Sequence, residues 1–246
     1  MRILLIRHGD PDYAHDTLTE KGWREARALA AYLKDKDITK FYCSPLGRAK
    51  DTASLTLQAR GQEAEILDYL REFDAPMPDP ETGGMSICWD YLPREWMDDP
   101  LHFDPDHWME SDLYRGHAPG PAAVEIGKKL DALLARHGYE RTGNYYRVVR
   151  ANHDTIALVC HFGISCVLLG HLLHISPIQL FHQIFISPTG MTMVETEERE
   201  EGIAHFRMRY LGATPHLQLA GEPASASGMF KETFADPTDR MDIFKD

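Results

Sequence analysis

Short apolar runs alternate along the chain with longer segments whose apolar residues recur at helical spacing. Residues 2–6 form an unbroken aliphatic run, which is typical of a strand buried on both faces of a sheet. From Thr19 to Tyr32 the spacing predicts an amphipathic helix, with Thr19 as its N-cap. Further strands are predicted over 38–43, 65–67, 145–149, 155–160, 191–195 and 203–210, and further helices over 45–60, 122–136 and 164–173. This alternation predicts an α/β protein with a mostly parallel central sheet.

An insertion interrupts the pattern at about 73–118, where prolines crowd together. Trp89, Trp96 and Trp108 all fall within it, and short helices are the most that its composition predicts. Two interpretations fit these aromatic residues. They cover the mouth of a site, or they form the core of a small subdomain.

A C-terminal extension at about 211–246 is rich in Pro, Ser and Asp. Phe230, Phe234 and Phe244 argue against complete disorder, and both partner docking and packing on its own domain fit the segment. We predict one domain over residues 1–246, with this extension and the insertion as its additions.

The charge balance narrows the choice of partners. Lys and Arg number 26 and Asp and Glu 38, so the 246-residue chain carries a net charge of −12. A surface this acidic repels phosphate backbones and anionic lipids, so we expect neither a nucleic acid nor a membrane as partner.

The cysteines and the N-terminus point to a cytoplasmic protein. The four cysteines lie in dissimilar surroundings without a Cys-Xaa-Xaa-Cys pair, which indicates neither a disulfide framework nor a zinc site. The first apolar run is too short for a signal peptide or a spanning helix. We therefore predict reduced thiols and a cytoplasmic location.

Basic side chains follow three of the predicted strands, at the turn into the next helix. Arg7-His8-Gly9 ends the first strand, His161 ends the strand 155–160, and Arg48 follows Ser44 after the strand 38–43. The carboxyl ends of parallel strands meet at the ligand-binding edge of a sheet, and helix N-termini there favour anions. A lone histidine at such a turn is more often structural, but two Arg and two His on one edge indicate a phosphate pocket.

These segments resemble the histidine phosphatase, or phosphoglycerate mutase-like, superfamily. The motifs that carry the resemblance are Leu5-Ile6-Arg7-His8-Gly9, Leu18-Thr19 with Gly22, Ser44-Pro45-Leu46 with Arg48-Ala49 and Asp51-Thr52-Ala53, and Val159-Cys160-His161 with Gly163. They occur in order and cover roughly residues 1–72 and 122–210. The resemblance implies a three-layer αβα sandwich.

The resemblance also implies site roles. His8 would be the nucleophile that forms a phosphohistidine, while Arg7, Arg48 and His161 bind the phosphoryl oxygens. Fixed arginine forks suit a transition state whose charge spreads over several oxygens. A neutral imidazole is available at neutral pH, so neither a metal nor another cofactor is implied.

The superfamily places a glutamate after the third strand as proton donor, and Glu72 in Leu70-Arg71-Glu72 fits this position. Glu72 would act as general acid and then as general base. Asp68, Asp74 and Glu81 are nearby rivals for the role.

The chain departs from the family pattern in two places. Asp10-Pro11-Asp12 replaces the usual residues after Arg7-His8-Gly9, and Ala14 stands where Asn is usual. Turn formation is the interpretation we favour for the two aspartates, with exclusion of highly charged substrates and pairing with a cationic substrate group as alternatives. Phe162 replaces a frequent glycine, which makes that wall of the pocket bulkier.

The function predicted from these residues is a metal-independent phosphatase that hydrolyses a small phosphomonoester. A cofactor-dependent phosphoglycerate mutase is one alternative. Such mutases carry an Asn-Glu-Arg segment after the proton donor, which this chain does not show, and the cluster Arg94-Glu95 does not match it. A non-catalytic protein that binds a phosphorylated ligand is the other. The acidic balance makes a small phosphoester a better candidate than a polyanion.

Overall fold

One large sheet organises the computed structural model, which describes residues 1–79 and 82–230. The strands are β1 Arg2–Arg7, β2 Pro11–Asp12, β3 Thr17–Leu18, β4 Lys40–Cys43, β5 Ala64–Ile66, β6 Pro76–Pro78, β7 Met85–Ile87, β8 Tyr139–Thr142, β9 Tyr145–Val148, β10 Thr155–Cys160, β11 Met191–Glu200 and β12 Ile203–Ala213. The helices are α1 Glu20–Leu33, α2 Gly47–Arg60, α3 Pro93–Trp96, α4 Pro119–Arg136, α5 Phe162–Leu173, α6 Pro177–Gln183 and α7 Pro215–Ala220.

The strands of the large sheet lie in the order β5-β4-β10-β1-β11-β12-β9-β8. The pairs β5–β4, β4–β10 and β10–β1 are parallel, and the sheet continues from β1 to β8 in antiparallel pairs. The predicted α/β fold is confirmed. The parallel half of the sheet contains β1, β4 and β10, the three strands that are followed by the basic residues.

The two faces of β1 show why the sheet is covered on both sides. Ile3 and Leu5 belong to one hydrophobic core, and Leu4 and Ile6 belong to the other. Successive side chains of a strand point to opposite faces, so an unbroken aliphatic run needs helices on both. Helices α1 and α2 pack on one face and α4 and α5 on the other, which gives the three layers.

The insertion packs onto the main core. Trp96 and Trp108 are buried in the same cluster as Leu130 of α4 and Leu168 of α5, so they do not form a separate subdomain core. The insertion contains α3 and several 3-10 turns, as predicted, and also the hairpin of β6 and β7, which was not predicted.

The start of α2 differs from the predicted one. The helix begins at Gly47 with Leu46 as N-cap, so Pro45 lies before the helix and not in its first turn. The Ser44 hydroxyl accepts a hydrogen bond from the Leu46 N–H at 3.2 Å, and this local turn delays the helix.

The described part of the C-terminal extension packs on its own domain. Strand β12 runs on to Ala213, and α7 contacts α1. Glu222 then accepts hydrogen bonds from Lys21 and Arg24 of α1. Phe230 is exposed, and Phe234 and Phe244 lie outside the described residues. Across the described ranges, no helix combines the length and the apolar character that crossing a bilayer requires.

Thr19 is the N-cap of α1, as predicted, and a substitution there tests its contribution. Its Oγ1 accepts from the Gly22 N–H at 3.1 Å and donates to Asp10 Oδ2 at 2.6 Å. Thr19→Ala removes both bonds, so we expect the free energy of unfolding to fall by about 1 kcal/mol in urea denaturation. Thr19→Ser keeps the hydroxyl and should stay near the wild type. Equal stability of all three proteins would contradict the cap.

Candidate active site

The parallel strand ends bring the predicted basic residues together. Arg7 at the end of β1 lies opposite Cys160 of β10, and Val159 of β10 lies opposite Cys43 of β4. The backbone pairing continues past the strands, because the His8 N–H donates to the Cys160 carbonyl at 2.9 Å. His8, His161 and Ser44 therefore leave the sheet at one edge.

His8 is held in one tautomer by its own turn. Its Nδ1 lies 2.7 Å from the carbonyl oxygen of Gly9, which can only accept, so Nδ1 carries the proton and Nε2 has the lone pair. The side chain is 1% exposed. Burial, followed by the charge of Arg7, lowers the pKa of His8 to about 3. The imidazole is therefore neutral at pH 7.

His161 faces His8 across the pocket. The two ring centroids are 5.0 Å apart, and His161 Nε2 lies 2.8 Å from Ser44 Oγ. Burial, then the neighbouring His8, Arg48 and Arg7, lowers the pKa of His161, so this ring is neutral as well. Its buried Nδ1 has no hydrogen-bond partner among the described residues.

The two arginines are each anchored through one nitrogen. Arg7, 5% exposed, donates from Nη1 to the Ile186 carbonyl at 2.6 Å. Arg48 donates from Nη1 to Asp16 Oδ1 at 2.7 Å, and Asp16 Oδ2 accepts from the Gly47 N–H at 2.6 Å. The Nε atoms of both arginines are buried without a partner in the described part of the chain. Buried donors without partners are rare in folded proteins, so this cluster can take an anion.

Glu72 lies at the N-terminus of α5, beside the arginines. Its Oε1 accepts from the Phe73 N–H at 2.8 Å and the Ile164 N–H at 3.1 Å. Burial raises the pKa of Glu72, while these hydrogen bonds and the charges of Arg7 and Arg48 oppose the rise. The position suits a carboxyl group that exchanges a proton with a bound phosphoester.

A glycine makes room for Glu72. A Cβ on Gly163 would lie 2.9 Å from Glu72 Oε1 and 2.7 Å from the indole nitrogen of Trp89. The rival carboxylates are elsewhere: Asp68 is exposed and paired with Arg71, and Asp74 is exposed. Glu81 lies outside the described residues.

Residues 3–208 match the family model described as the histidine phosphatase superfamily, branch 1. This chain belongs to that superfamily. The resemblance seen in the sequence motifs is thereby confirmed.

Two curated relatives of this histidine phosphatase superfamily member are themselves phosphatases. The adenosylcobalamin/alpha-ribazole phosphatase of Salmonella typhi is 36% identical over 81 residues, which cover 29% of this chain and 40% of that protein. The probable 2-carboxy-D-arabinitol-1-phosphatase of Arabidopsis thaliana is 24% identical over 240 residues, which cover 89% of this chain and 43% of that protein. Both matches span less than half the length of the relative.

Solved structures of two phosphatases share the fold. The phosphoserine phosphatase of Entamoeba histolytica superposes with a TM-score of 0.56 at 19% identity, over 88% of this chain and 98% of that one. The mycobacterial glucosyl-3-phosphoglycerate phosphatase gives a TM-score of 0.57 at 19% identity, over 86% and 98%. The phosphoglycerate mutase-like architecture is thus shown.

The two aspartates beside the pocket of this superfamily member are occupied by local contacts. Asp12 accepts from the N–H groups of Ala14 and His15 and pairs with the His15 imidazole, as a turn residue does. Asp10 accepts from the hydroxyl groups of Thr19 and Ser225. The contact with Ser225 brings the C-terminal extension to the edge of the site, where Gly228 lies beside the Arg7 guanidinium.

Several of these neighbours were not singled out from the sequence. Asp16 has a positive φ of 48° at the tip of the β2–β3 hairpin, and no motif signals its contact with Arg48. Ser225 and Gly228 are more than 200 residues from Arg7, beyond the reach of any local pattern. Ser44 belongs to the motif Ser44-Pro45-Leu46, but its contact with His161 forms only because β4 and β10 pair side by side.

No group of three or more His, Cys, Asp or Glu side chains in residues 1–79 and 82–230 has an arrangement that could hold a metal ion. The pocket at the sheet edge is built from two cations and two imidazoles, and His8 and His161 each contact a protein oxygen.

Glu25 of α1 accepts a hydrogen bond from the turn that follows His8, and its burial makes the stability of the protein depend on pH. It is buried, its Oε2 accepts from the Asp10 N–H at 2.8 Å, and burial raises its pKa to about 7. The folded state therefore holds a proton that the unfolded state loses, so the contribution of Glu25 to the free energy of unfolding should fall as pH rises from 4.5 through 7. The lowered pKa values of the buried His8 and His161 act in the opposite direction below about 6.5. We expect a loss on the order of 1–3 kcal/mol from this group.

Urea denaturation between pH 5 and pH 8 measures this effect. The free energy of unfolding of the wild type minus that of Glu25→Gln should fall over this range. The difference between the wild type and Glu20→Gln, at an exposed position of the same helix, should not change with pH. A difference between the wild type and Glu25→Gln that is independent of pH would refute the assignment.

Proposed function

We propose that this protein is a metal-independent phosphatase that hydrolyses a small phosphomonoester through a phosphohistidine on His8. The observation that supports it best is a cluster of buried polar atoms without partners in the described part of the chain. The two donors Arg7 Nε and Arg48 Nε, together with His161 Nδ1, lie around a neutral histidine whose lone pair is on Nε2. The phosphorylated compounds in the names of its relatives are small molecules.

The first step forms the phosphoenzyme. The Nε2 lone pair of His8 attacks phosphorus, the P–O ester bond breaks, and the departing oxygen takes a proton from the Glu72 carboxyl. Arg7, Arg48 and His161 donate hydrogen bonds to the phosphoryl oxygens, where charge spreads in the transition state. A raised pKa keeps a fraction of Glu72 protonated for this step.

The second step returns the enzyme to its initial state. Glu72, now a carboxylate, takes a proton from water while the water oxygen attacks phosphorus. The P–Nε2 bond breaks and inorganic phosphate leaves. His8 regains its neutral form, which the neighbouring arginines favour over imidazolium. We infer that the enzyme acts in the cytoplasm on a small phosphorylated substrate, with neither nucleic acid nor membrane as partner.

Trapping the phosphoenzyme tests the role of His8. After mixing with radiolabelled p-nitrophenyl phosphate and EDTA and rapid denaturation in alkali, the wild type should carry acid-labile, alkali-stable phosphate. His8→Ala should carry none, because the nucleophile is gone. His153→Ala, which changes an exposed histidine outside the site, should be labelled like the wild type.

Three outcomes would overturn this proposal in different ways. Label on His8→Ala equal to the wild type would refute the nucleophile. Phosphate release that stops in EDTA would refute metal independence. Conversion of 3-phosphoglycerate to 2-phosphoglycerate that depends on a bisphosphate primer, without net hydrolysis, would indicate a mutase.

The acid role of Glu72 predicts a dependence on the leaving group. Glu72→Gln should lower kcat/KM about 10²–10⁴-fold for an alkyl phosphate, whose alkoxide needs a proton. For p-nitrophenyl phosphate the leaving group is stable as an anion and needs no proton. The loss in kcat/KM should therefore be smaller by about 10-fold or more. The wild-type kcat/KM for the alkyl ester should fall as pH rises through the pKa of Glu72, and the variant should lack this fall.

Asp74→Asn is the matched control, because Asp74 is an exposed carboxylate two residues away. It should behave as the wild type with both esters. Equal losses for both esters in Glu72→Gln would show that Glu72 supports the structure of the site and does not donate the proton.

A further inference from the structure

Two aromatic side chains lie against the guanidinium groups of the pocket, and a third packs on one of them. The Tyr13 ring centroid lies 5.4 Å from Arg48 Cζ, and the Phe162 ring centroid lies 5.9 Å from Arg7 Cζ. Trp89 meets Phe162 edge to face, with centroids 5.8 Å apart at 77°. We call Tyr13, Phe162 and Trp89 the aromatic mouth.

The mouth has one fixed side and one exposed side. The Trp89 indole N–H donates to the Phe73 carbonyl at 2.7 Å, which fixes the ring beside Phe162. Tyr13 sits between β2 and β3, is 64% exposed, and lies near Arg7 as well as Arg48. A large apolar ring exposed beside two buried cations is a surface that a ligand can cover.

The geometry of the proposed reaction directs the leaving group to this surface. His8 attacks from the floor of the pocket, so the ester oxygen departs on the opposite side, in line with Nε2. Glu72 must reach that oxygen, and Gly163 brings Glu72 Oε1 and the Trp89 indole nitrogen to the same place. The alcohol part of the substrate therefore passes along Trp89 and Phe162, with Tyr13 on the other side.

Two charged side chains near the pocket are paired within the protein. Arg71, a further cation near His161, is paired with Asp68 at 3.0 Å. Asp12 is paired with His15 at 2.7 Å. The contacts that the mouth itself offers to the alcohol are aromatic rings.

We propose that the aromatic mouth makes this site selective for phosphomonoesters of alcohols that carry a flat aromatic group. This inference rests on the proposed phosphatase function and assigns its substrate class. Tyr13 is the specificity-determining residue on the exposed side, and its ring packs on the aromatic group of the bound alcohol.

A pair of alkyl esters tests the selectivity without a difference in chemistry. 2-Phenylethyl phosphate and ethyl phosphate both release primary alcohols of similar acidity. The wild type should prefer the phenylethyl ester in kcat/KM by about 10-fold or more, since each aromatic contact supplies about 2- to 10-fold. The preference should lie mainly in KM.

Variants of the exposed ring localise the effect. Tyr13→Leu should lower the phenylethyl-to-ethyl ratio of kcat/KM about 2- to 10-fold, whereas Tyr13→Phe, which keeps the ring, should retain it. Because the side chain is exposed, both variants should fold as the wild type does. Tyr145→Leu, at another exposed tyrosine on β9, is the matched control and should leave the ratio unchanged.

The outcomes separate this inference from the proposed function. Hydrolysis of both esters at equal kcat/KM, or an unchanged ratio in Tyr13→Leu, would overturn the aromatic mouth and leave the phosphatase function in place. Absence of both hydrolysis and phosphohistidine in the wild type would overturn the phosphatase function and this inference with it.

Discussion

Two arginines held out of water at one edge of the sheet determine the properties of the groups around them. A buried charge is costly unless hydrogen bonds and an opposite charge compensate for it. Arg7 donates to the backbone carbonyl of Ile186, and Arg48 donates to the carboxylate of Asp16. Within the described ranges, each retains a buried Nε without a partner. The free protein satisfies these cations only in part. A phosphoryl dianion would supply both the missing acceptors and the missing charge.

The same arginines separate the protonation states of the catalytic candidates. Burial and positive charge both disfavour imidazolium, so His8 and His161 are neutral, and His8 has its lone pair on Nε2. For Glu72 the two influences have opposite signs, because burial raises its pKa and the arginines lower it. One environment thus provides a neutral imidazole and a carboxyl group able to hold a proton, which is the division of roles that the proposed phosphoryl transfer needs.

The parts of the fold that the sequence predicts are those encoded by local patterns. Strands β1 and β10 are unbroken aliphatic runs, and Thr19 combines a capping hydroxyl with a following amphipathic helix. The basic strand ends could be placed on one edge because parallel strands align their carboxyl ends. Short elements without a strong period, such as the β6–β7 hairpin, were not predicted.

The surroundings of the basic residues follow from contacts between distant segments. Asp16 reaches Arg48 because the β2–β3 hairpin folds over the start of α2, where a Cβ on Gly47 would lie 1.9 Å from the Asp16 carbonyl oxygen. Ser225 reaches Asp10 only after α7 has packed on α1. These contacts depend on how distant backbone segments are placed, and no local sequence pattern specifies that placement. Periodicity and motifs could therefore identify the basic residues of the site, but not the residues that surround them.

The net charge of −12 and a site for an anion are compatible because the carboxylates next to the pocket are engaged locally. Asp10 is bonded to two hydroxyl groups, Asp12 to His15, and burial keeps Glu25 largely protonated below its pKa of about 7. Charges farther away on the surface are screened over about 8 Å at physiological ionic strength. They therefore act little on a small phosphoester bound inside, but they act on a long polyanion that must lie along the surface. The acidic exterior and the cationic pocket together favour small substrates.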